Sequence, residues 1–257
     1  GTENLLMAAC FAKGTTRFEN CAREPEVVDL AKLLSAMGAR ISGAGDEVIE
    51  VEGVHELGAA EHAVTSDRIE GGTYLIGAAL TQGDVTLEDA DPAALGPLLD
   101  QLSAIGAKVS SEGTSVRVRA EGTLEARDIV TAPHPGFPTD LQAQYLALMT
   151  QARGTARVVE TVFENRFQHV PELMRMGADL HVEGKVVKVH GPTPLAGASV
   201  MATDLRASAC LVLAGLVAEG ETWVDRIYHL DRGYESMEKK LHDLGAQVER
   251  IAGPPTP

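Results

Sequence analysis

Four short stretches place a hydroxyl residue directly before an acid: Thr2-Glu3, Ser66-Asp67, Thr139-Asp140 and Thr203-Asp204. Each opens an apolar run. A carboxylate at such a point can stabilise a helix start, where an acid contributes about 0.3–1 kcal/mol behind a Ser or Thr cap. It can also face a cleft and accept a proton from a substrate hydroxyl. Spacing alone does not choose among the four, but their neighbours differ. Asp140 follows APHPGFP, with three prolines and a glycine in seven residues, and a stiff loop of this kind can fix a carboxylate. Asp204 is followed by Arg206, and HLDRGYE supplies Arg232. Guanidinium forks suit planar carboxylates and tetrahedral phosphates, and exposed helix-start amides add to the same positive pocket. An ordinary ion pair of Asp204 with one arginine accounts for the same residues. Glu164 and Arg166, in TVFENRFQHVPEL, read equally as a salt-bridged turn or as cleft residues. His134 and His169 read as structural.

The elements that position these residues repeat. LLSAMGARIS, QLSAIGAKVS, LMRMGADLHV and LHDLGAQVER carry Gly38, Gly106, Gly177 and Gly245, spaced by 68, 71 and 68 residues. Each reads as a helix ending at Gly-Ala, followed by a strand. Gly14, Gly83, Gly154 and Gly220 keep the same rhythm after apolar helices. One unit therefore reads strand, apolar helix, strand, amphipathic helix, strand, strand. The apolar helices have no polar face, so they are expected inside with sheets outside them. Helices near 141–152 and 207–218 should be the most buried. The first unit has no opening strand before its apolar helix, which predicts an N-terminally cut chain.

Composition bounds the function. The 257 residues carry a net charge of -15 and only 4% aromatic residues. That acidity argues against general binding of nucleic acid or anionic membrane. Cys10, Cys21 and Cys210 lie in no metal-like spacing and suit a reduced, cytoplasmic interior. There is no GxGxxG after a strand, no P-loop and no zinc-type histidine spacing. No cofactor or metal is expected.

AREPEVVDLAKLL, TAPHPGFPTDLQAQ, ETVFENRFQHVPELMRMGA, MATDLRASACLVLAG and DRIYHLDRGYE together closely resemble the bacterial UDP-N-acetylglucosamine enolpyruvyl transferases, from Gly1 to about Ile251. The resemblance implies an α/β fold of the inside-out barrel type, with six units in two domains of three. Residues 1–62 would be the last unit of an incomplete first domain, 63–251 a second domain of three units, and 252–257 a tail. It implies transfer of enolpyruvyl from phosphoenolpyruvate to the 3-hydroxyl of UDP-N-acetylglucosamine, the first committed step of peptidoglycan synthesis in the bacterial cytoplasm. It carries the general base onto Asp140, which also contacts the sugar. Asp204, Arg206 and Arg232 join it as catalytic residues, with both arginines near substrate phosphate and carboxylate groups. The Val162 main chain would contact the nucleotide-sugar, and Glu164 and Arg166 would line the cleft. Arg23, Glu24 and Glu26 would start a helix and bridge domains.

The chain departs from the family in lacking the Lys-Asn pair and the cysteine-bearing loop that donates the proton. It is therefore expected to be inactive alone, and to pair with the missing part or with itself through exposed apolar surface. Three other readings stay open: an enolpyruvylshikimate-phosphate synthase-like transferase, a non-catalytic ligand- or partner-binding homologue, and a relative of RNA-terminal phosphate cyclase. FPTDLQAQ and VFENRFQHVPEL favour the nucleotide-sugar enzyme over the first, and acidity disfavours the last.

Overall fold

The computed structural model describes residues 1–251; the expected tail at 252–257 lies outside them. Contacts divide the chain into two compact units, one of Gly1–Ser66 with Pro133–Gly136, the other of Asp67–Ala132 with the residues from Phe137 onward. Each has its own apolar core.

The first unit contains α1 (Thr2–Ala9), β1 (Thr15–Glu19), α2 (Pro25–Ala36), β2 (Arg40–Ser42) and β3 (Val48–Glu52). Its antiparallel sheet has the order β1-β3-β2. Ile49 and Val51 are fully buried, while Glu50 and Glu52 pair with Arg17 and Arg40. Period-two alternation thus puts one face on the core and an ionic face in water. Glu24 is the N-cap residue of α2, ahead of Pro25. The helix α1 departs from expectation. It buries Leu6 and Ala9 but leaves Leu5 and Met7 exposed, as is Phe11 just beyond it.

The second unit repeats the pattern three times. First come α3 (Arg68–Leu80), β4 (Asp84–Leu87), α4 (Pro92–Ala104), β5 (Lys108–Glu112) and β6 (Ser115–Arg119). Next are β7 (Ile129–Val130), α5 (Gln142–Met149), β8 (Gly154–Val159), α6 (Val170–Arg175), β9 (Asp179–Glu183) and β10 (Val186–Gly191). Last are β11 (Ser199–Met201), α7 (Leu205–Gly215), β12 (Trp223–Asp225) and α8 (Met237–Asp243). Their sheets run β4-β6-β5, β7-β8-β10-β9 and β11-β12.

The helices α3, α5 and α7 pack on one another. All eight residues of α5 are buried, and α3 is buried without a break from Gly72 to Leu80. α7 is less buried than expected. It ends at Gly215, and Leu216–Ala218 are half-buried. Small residues permit this close packing: a Cβ on Gly72 would lie 2.8 Å from a Leu141 methyl. Gly38, Gly106, Gly177 and Gly245 follow α2, α4, α6 and α8 with φ of +108°, +108°, +98° and +98°. At all four, the next alanine donates its N–H to the carbonyl five residues back, on Leu34, Leu102, Leu173 and Leu241. This closure needs the left-handed backbone that glycine adopts without a Cβ penalty.

The repeat is less regular than expected. Among the described residues only β7 and β11 serve as opening strands, each parallel to the strand after its helix. Residues 58–67 form no strand, and neither do 246–250. The four sheets remain separate, so no closed barrel of strands forms among the described residues.

Gly191 shows how tightly α5 is held. A Cβ there would lie 2.3 Å from the Ala152 carbonyl oxygen, 2.6 Å from that of Met149 and 2.9 Å from that of Thr150. Backbone carbonyls cannot rotate aside as a side chain can. Gly191→Ala is expected to destabilise the second unit by about 3 kcal/mol, the upper end of ordinary overpacking. Chemical denaturation checks this, and an unchanged midpoint would show that the α5 terminus can shift.

Candidate active site

Glu3 is a first-turn residue of α1, and the three aspartates at the other helix starts separate into two kinds. Asp67 and Asp204 are caps. Asp67 Oδ1 accepts the N–H groups of Ile69 and Glu70 at 2.8 and 3.0 Å, and Asp204 Oδ1 those of Arg206 and Ala207 at 2.8 and 2.9 Å. The acid is thus the N-cap itself, rather than a first-turn residue behind a hydroxyl cap. Asp140 is different. It lies in the 3-10 turn Thr139–Leu141 that leads into α5. Its Oδ1 accepts Nη2 of Arg166 at 2.7 Å and Nε of Arg206 at 3.2 Å. Its Oδ2 takes no hydrogen bond among the described residues, which leaves lone pairs free to accept a donor.

Burial raises the Asp140 pKa, but the Arg206 and Arg166 charges and their hydrogen bonds outweigh burial and hold it below the ordinary carboxylate value. Asp140 is therefore ionised at neutral pH. The alternative reading of an Asp204–arginine ion pair is not met: Arg206 pairs with Asp140, 66 residues away. Arg166 also lies over the Phe163 ring, 4.7 Å from its centroid.

A second layer holds this trio. Arg206 Nη1 donates to the Tyr234 hydroxyl at 3.3 Å. That buried hydroxyl meets Thr73 Oγ1 of α3 at 3.0 Å and Gln144 Nε2 of α5 at 3.1 Å. Gln144 Nε2 also reaches the Asp140 carbonyl oxygen at 3.1 Å. Thr73 donates its own proton to the Ile69 carbonyl at 2.8 Å, so Tyr234 is the donor to Thr73. On the other side, Thr139 Oγ1 accepts Arg166 Nη1 at 3.0 Å and donates to Glu160 Oε2 at 2.8 Å.

The structure brings together Asp140, Arg166 and Arg206. Arg232 stays outside this set, exposed at the end of a 3-10 turn, with no side-chain hydrogen bond or ion pair among the described residues. Glu164 is likewise exposed and unpaired. The Val162 N–H is already taken by Glu160 Oε1 at 2.8 Å, so only its carbonyl remains for a ligand. Sequence reasoning passed over Glu160, Gln144 and Tyr234, and read Thr139 only as a helix-cap hydroxyl. Glu160 did carry a signal: Ala156, Val158 and Glu160 lie in phase on the inward side of β8 and its extension, and all three are buried. Cys10 and Cys210 are buried, with thiol pKa values pushed up by desolvation, which makes them poor nucleophiles. No group of three or more potential metal ligands occurs among the described residues.

His169 is buried, and its Nε2 has no hydrogen-bond partner. Desolvation lowers its pKa to about 4, helped by Arg166 and opposed by Asp204. The folded protein keeps it neutral while an unfolded chain protonates near 6.5. Stability should therefore fall as pH drops from about 6.5 toward 4, by about 2 kcal/mol at pH 5. His169→Phe should flatten that slope in urea denaturation at pH 7 and pH 5. An equal slope in both proteins would assign the pH dependence elsewhere.

A family model described as EPSP synthase (3-phosphoshikimate 1-carboxyvinyltransferase) matches residues 1–241. The UDP-N-acetylglucosamine 1-carboxyvinyltransferase of Sorangium cellulosum is 60% identical over 255 residues, covering 98% of this chain and 60% of that protein. That of Koribacter versatilis is 57% identical over 251 residues, covering 98% and 58%. The chain thus spans about three-fifths of the length of these curated relatives. The crystal structure of the enolpyruvyl transferase NikO from Streptomyces tendae superposes with a TM-score of 0.86 at 30% identity, over 97% of this chain and 59% of that one. An EPSP synthase from Acinetobacter baumannii superposes at 0.74 with 20% identity, over 96% of this chain and 60% of that one, a likeness of fold alone.

Proposed function

This chain belongs to the EPSP synthase family, and from that premise we propose that it carries the acceptor-sugar half of an enolpyruvyl transfer to UDP-N-acetylglucosamine. The observation that carries this reading is Asp140, ionised, held through one oxygen by two guanidinia and open at the other. The sequence likeness to proteins named for that transfer supports the choice of sugar. We read residues 1–62 as one repeat of a first domain and 63–251 as a second domain of the inside-out α/β type, acting in the cytoplasm. No described helix is long and apolar enough to cross a membrane.

In the proposed reaction the 3-hydroxyl oxygen bonds to C2 of phosphoenolpyruvate while its proton passes to Asp140 Oδ2, and a general acid other than Asp140 protonates C3. The tetrahedral adduct then loses a C3 proton and phosphate to give the enolpyruvyl ether. Arg206 and Arg166 are spent on Asp140 in the free chain. An anionic substrate that draws on the same guanidinia would relax their hold and raise the basicity of Asp140. Arg232, exposed and unpaired, is a further cation for phosphate or carboxylate. Asp204 acts by presenting Arg206 at the head of α7, a positioning rather than a chemical role.

The test compares this chain alone with the chain extended by the uncovered portion of the Sorangium cellulosum relative. Phosphate release that requires both phosphoenolpyruvate and UDP-N-acetylglucosamine is expected from the extended protein. Release that follows shikimate 3-phosphate instead would reassign the acceptor.

A further inference from the structure

Glu160 is 1% exposed. A buried carboxylate is costly unless donors surround it, and here every donor is neutral. Oε1 accepts Thr131 Oγ1 at 2.9 Å, the Val162 N–H at 2.8 Å and the Phe163 N–H at 3.0 Å. Oε2 accepts Thr139 Oγ1 at 2.8 Å. A hydroxyl has one proton, so Thr139 must face Arg166 Nη1 with a lone pair. The chain of bonds therefore has one direction, from Arg166 through Thr139 to Glu160. The other end of the same guanidinium holds Asp140. Thr131 also accepts the Thr161 N–H at 2.9 Å, and Thr161 donates its hydroxyl to the Thr131 carbonyl at 2.6 Å. The loop that delivers Arg166 is pinned where it leaves β8.

We propose that Glu160 is a positioning residue for Asp140: it fixes Thr139 and the 161–166 loop, and through both holds Arg166 against the Asp140 carboxylate. Only a carboxylate does this fully. Glutamine could still accept both amides at one oxygen, but its NH2 group cannot accept the Thr139 proton. The oxygen that would be lost is the one aligned with Arg166. The consequence for turnover rests on the reading of Asp140 as general base, whereas the positioning does not.

The experiment is an NMR titration of the Asp140 carboxyl, with 13C-labelled aspartate, in the unaltered protein and in Glu160→Gln, Thr139→Val and Thr139→Ser. The charged groups that act on Asp140 are Arg206 and Arg166. A loosened Arg166 should raise the Asp140 midpoint by about half a unit or more in the Gln and Val variants, and Thr139→Ser should restore it. Through-space charge alone predicts the opposite for Glu160→Gln, because removal of a negative charge lowers a neighbouring carboxyl's midpoint. A fall in Glu160→Gln, or no rise in Thr139→Val, overturns the proposal. Should Glu160→Gln fail to fold, Thr139→Val decides, since valine keeps the shape of threonine. If these midpoints rise while Asp140→Asn keeps its turnover, the base reading fails and the positioning stands.

Discussion

Asp140→Asn in the extended protein is expected to lower kcat by about 10²–10⁴-fold, the ordinary worth of general-base assistance, while affinity for UDP-N-acetylglucosamine changes far less. Asparagine keeps the shape and one carbonyl oxygen, so Arg166 and Arg206 retain an acceptor. What disappears is the capacity to take the proton. The Asp140 pKa lies below the ordinary carboxylate value in the free protein. The base form thus predominates around neutral pH, and no acid limb of kcat/KM near neutrality belongs to Asp140. Single-turnover kinetics together with calorimetric binding of the nucleotide-sugar separate the two effects. Near-normal turnover removes the assignment.

The comparison of the three aspartates shows what was legible in the sequence and what was not. Helix starts at residues 67, 140 and 204 could be read from hydroxyl-acid pairs before apolar runs, because capping is a local requirement. So could the helix ends at Gly38, Gly106, Gly177 and Gly245, where a positive φ demands glycine. Strands were less legible. Residues 58–67 and 246–250 form none, and a strand exists only if a partner meets it. The division of labour among the aspartates was invisible locally: Asp204 and Asp140 stand in the same TDL triplet, yet one caps and the other pairs with arginines 26 and 66 residues away. The proline-rich approach to Asp140 was the one local hint. Tyr234 sits beside Arg232 in a motif whose arginine alone suggests chemistry, and its role depends on Thr73 and Gln144 from two other repeats.

Arg206→Ala should cost about 10²–10³-fold in kcat/KM for phosphoenolpyruvate, comparable to the loss of one donor aimed at developing charge. The protein should fold, because the α7 cap uses the main-chain amide of residue 206, which alanine keeps. The side chain spans two partners, Asp140 Oδ1 through Nε and the Tyr234 hydroxyl through Nη1, with its Cζ 5.8 Å from the Tyr234 ring centroid. A lysine ammonium is a point charge without that fork, so Arg206→Lys should recover only part of the loss. Two further signs follow from the charges. Removal of one of the two cations beside Asp140 should raise its pKa toward the ordinary carboxylate value, and Tyr234 should lose a stabiliser of its phenolate. Steady-state kinetics over a range of phosphoenolpyruvate concentrations read the first effect, and carboxyl titration reads the second. Full activity in the lysine variant would show that charge alone is needed at this position. Full activity in the alanine variant would leave Arg206 as a counter-ion for Asp140 and shift anion recognition to Arg166 and Arg232.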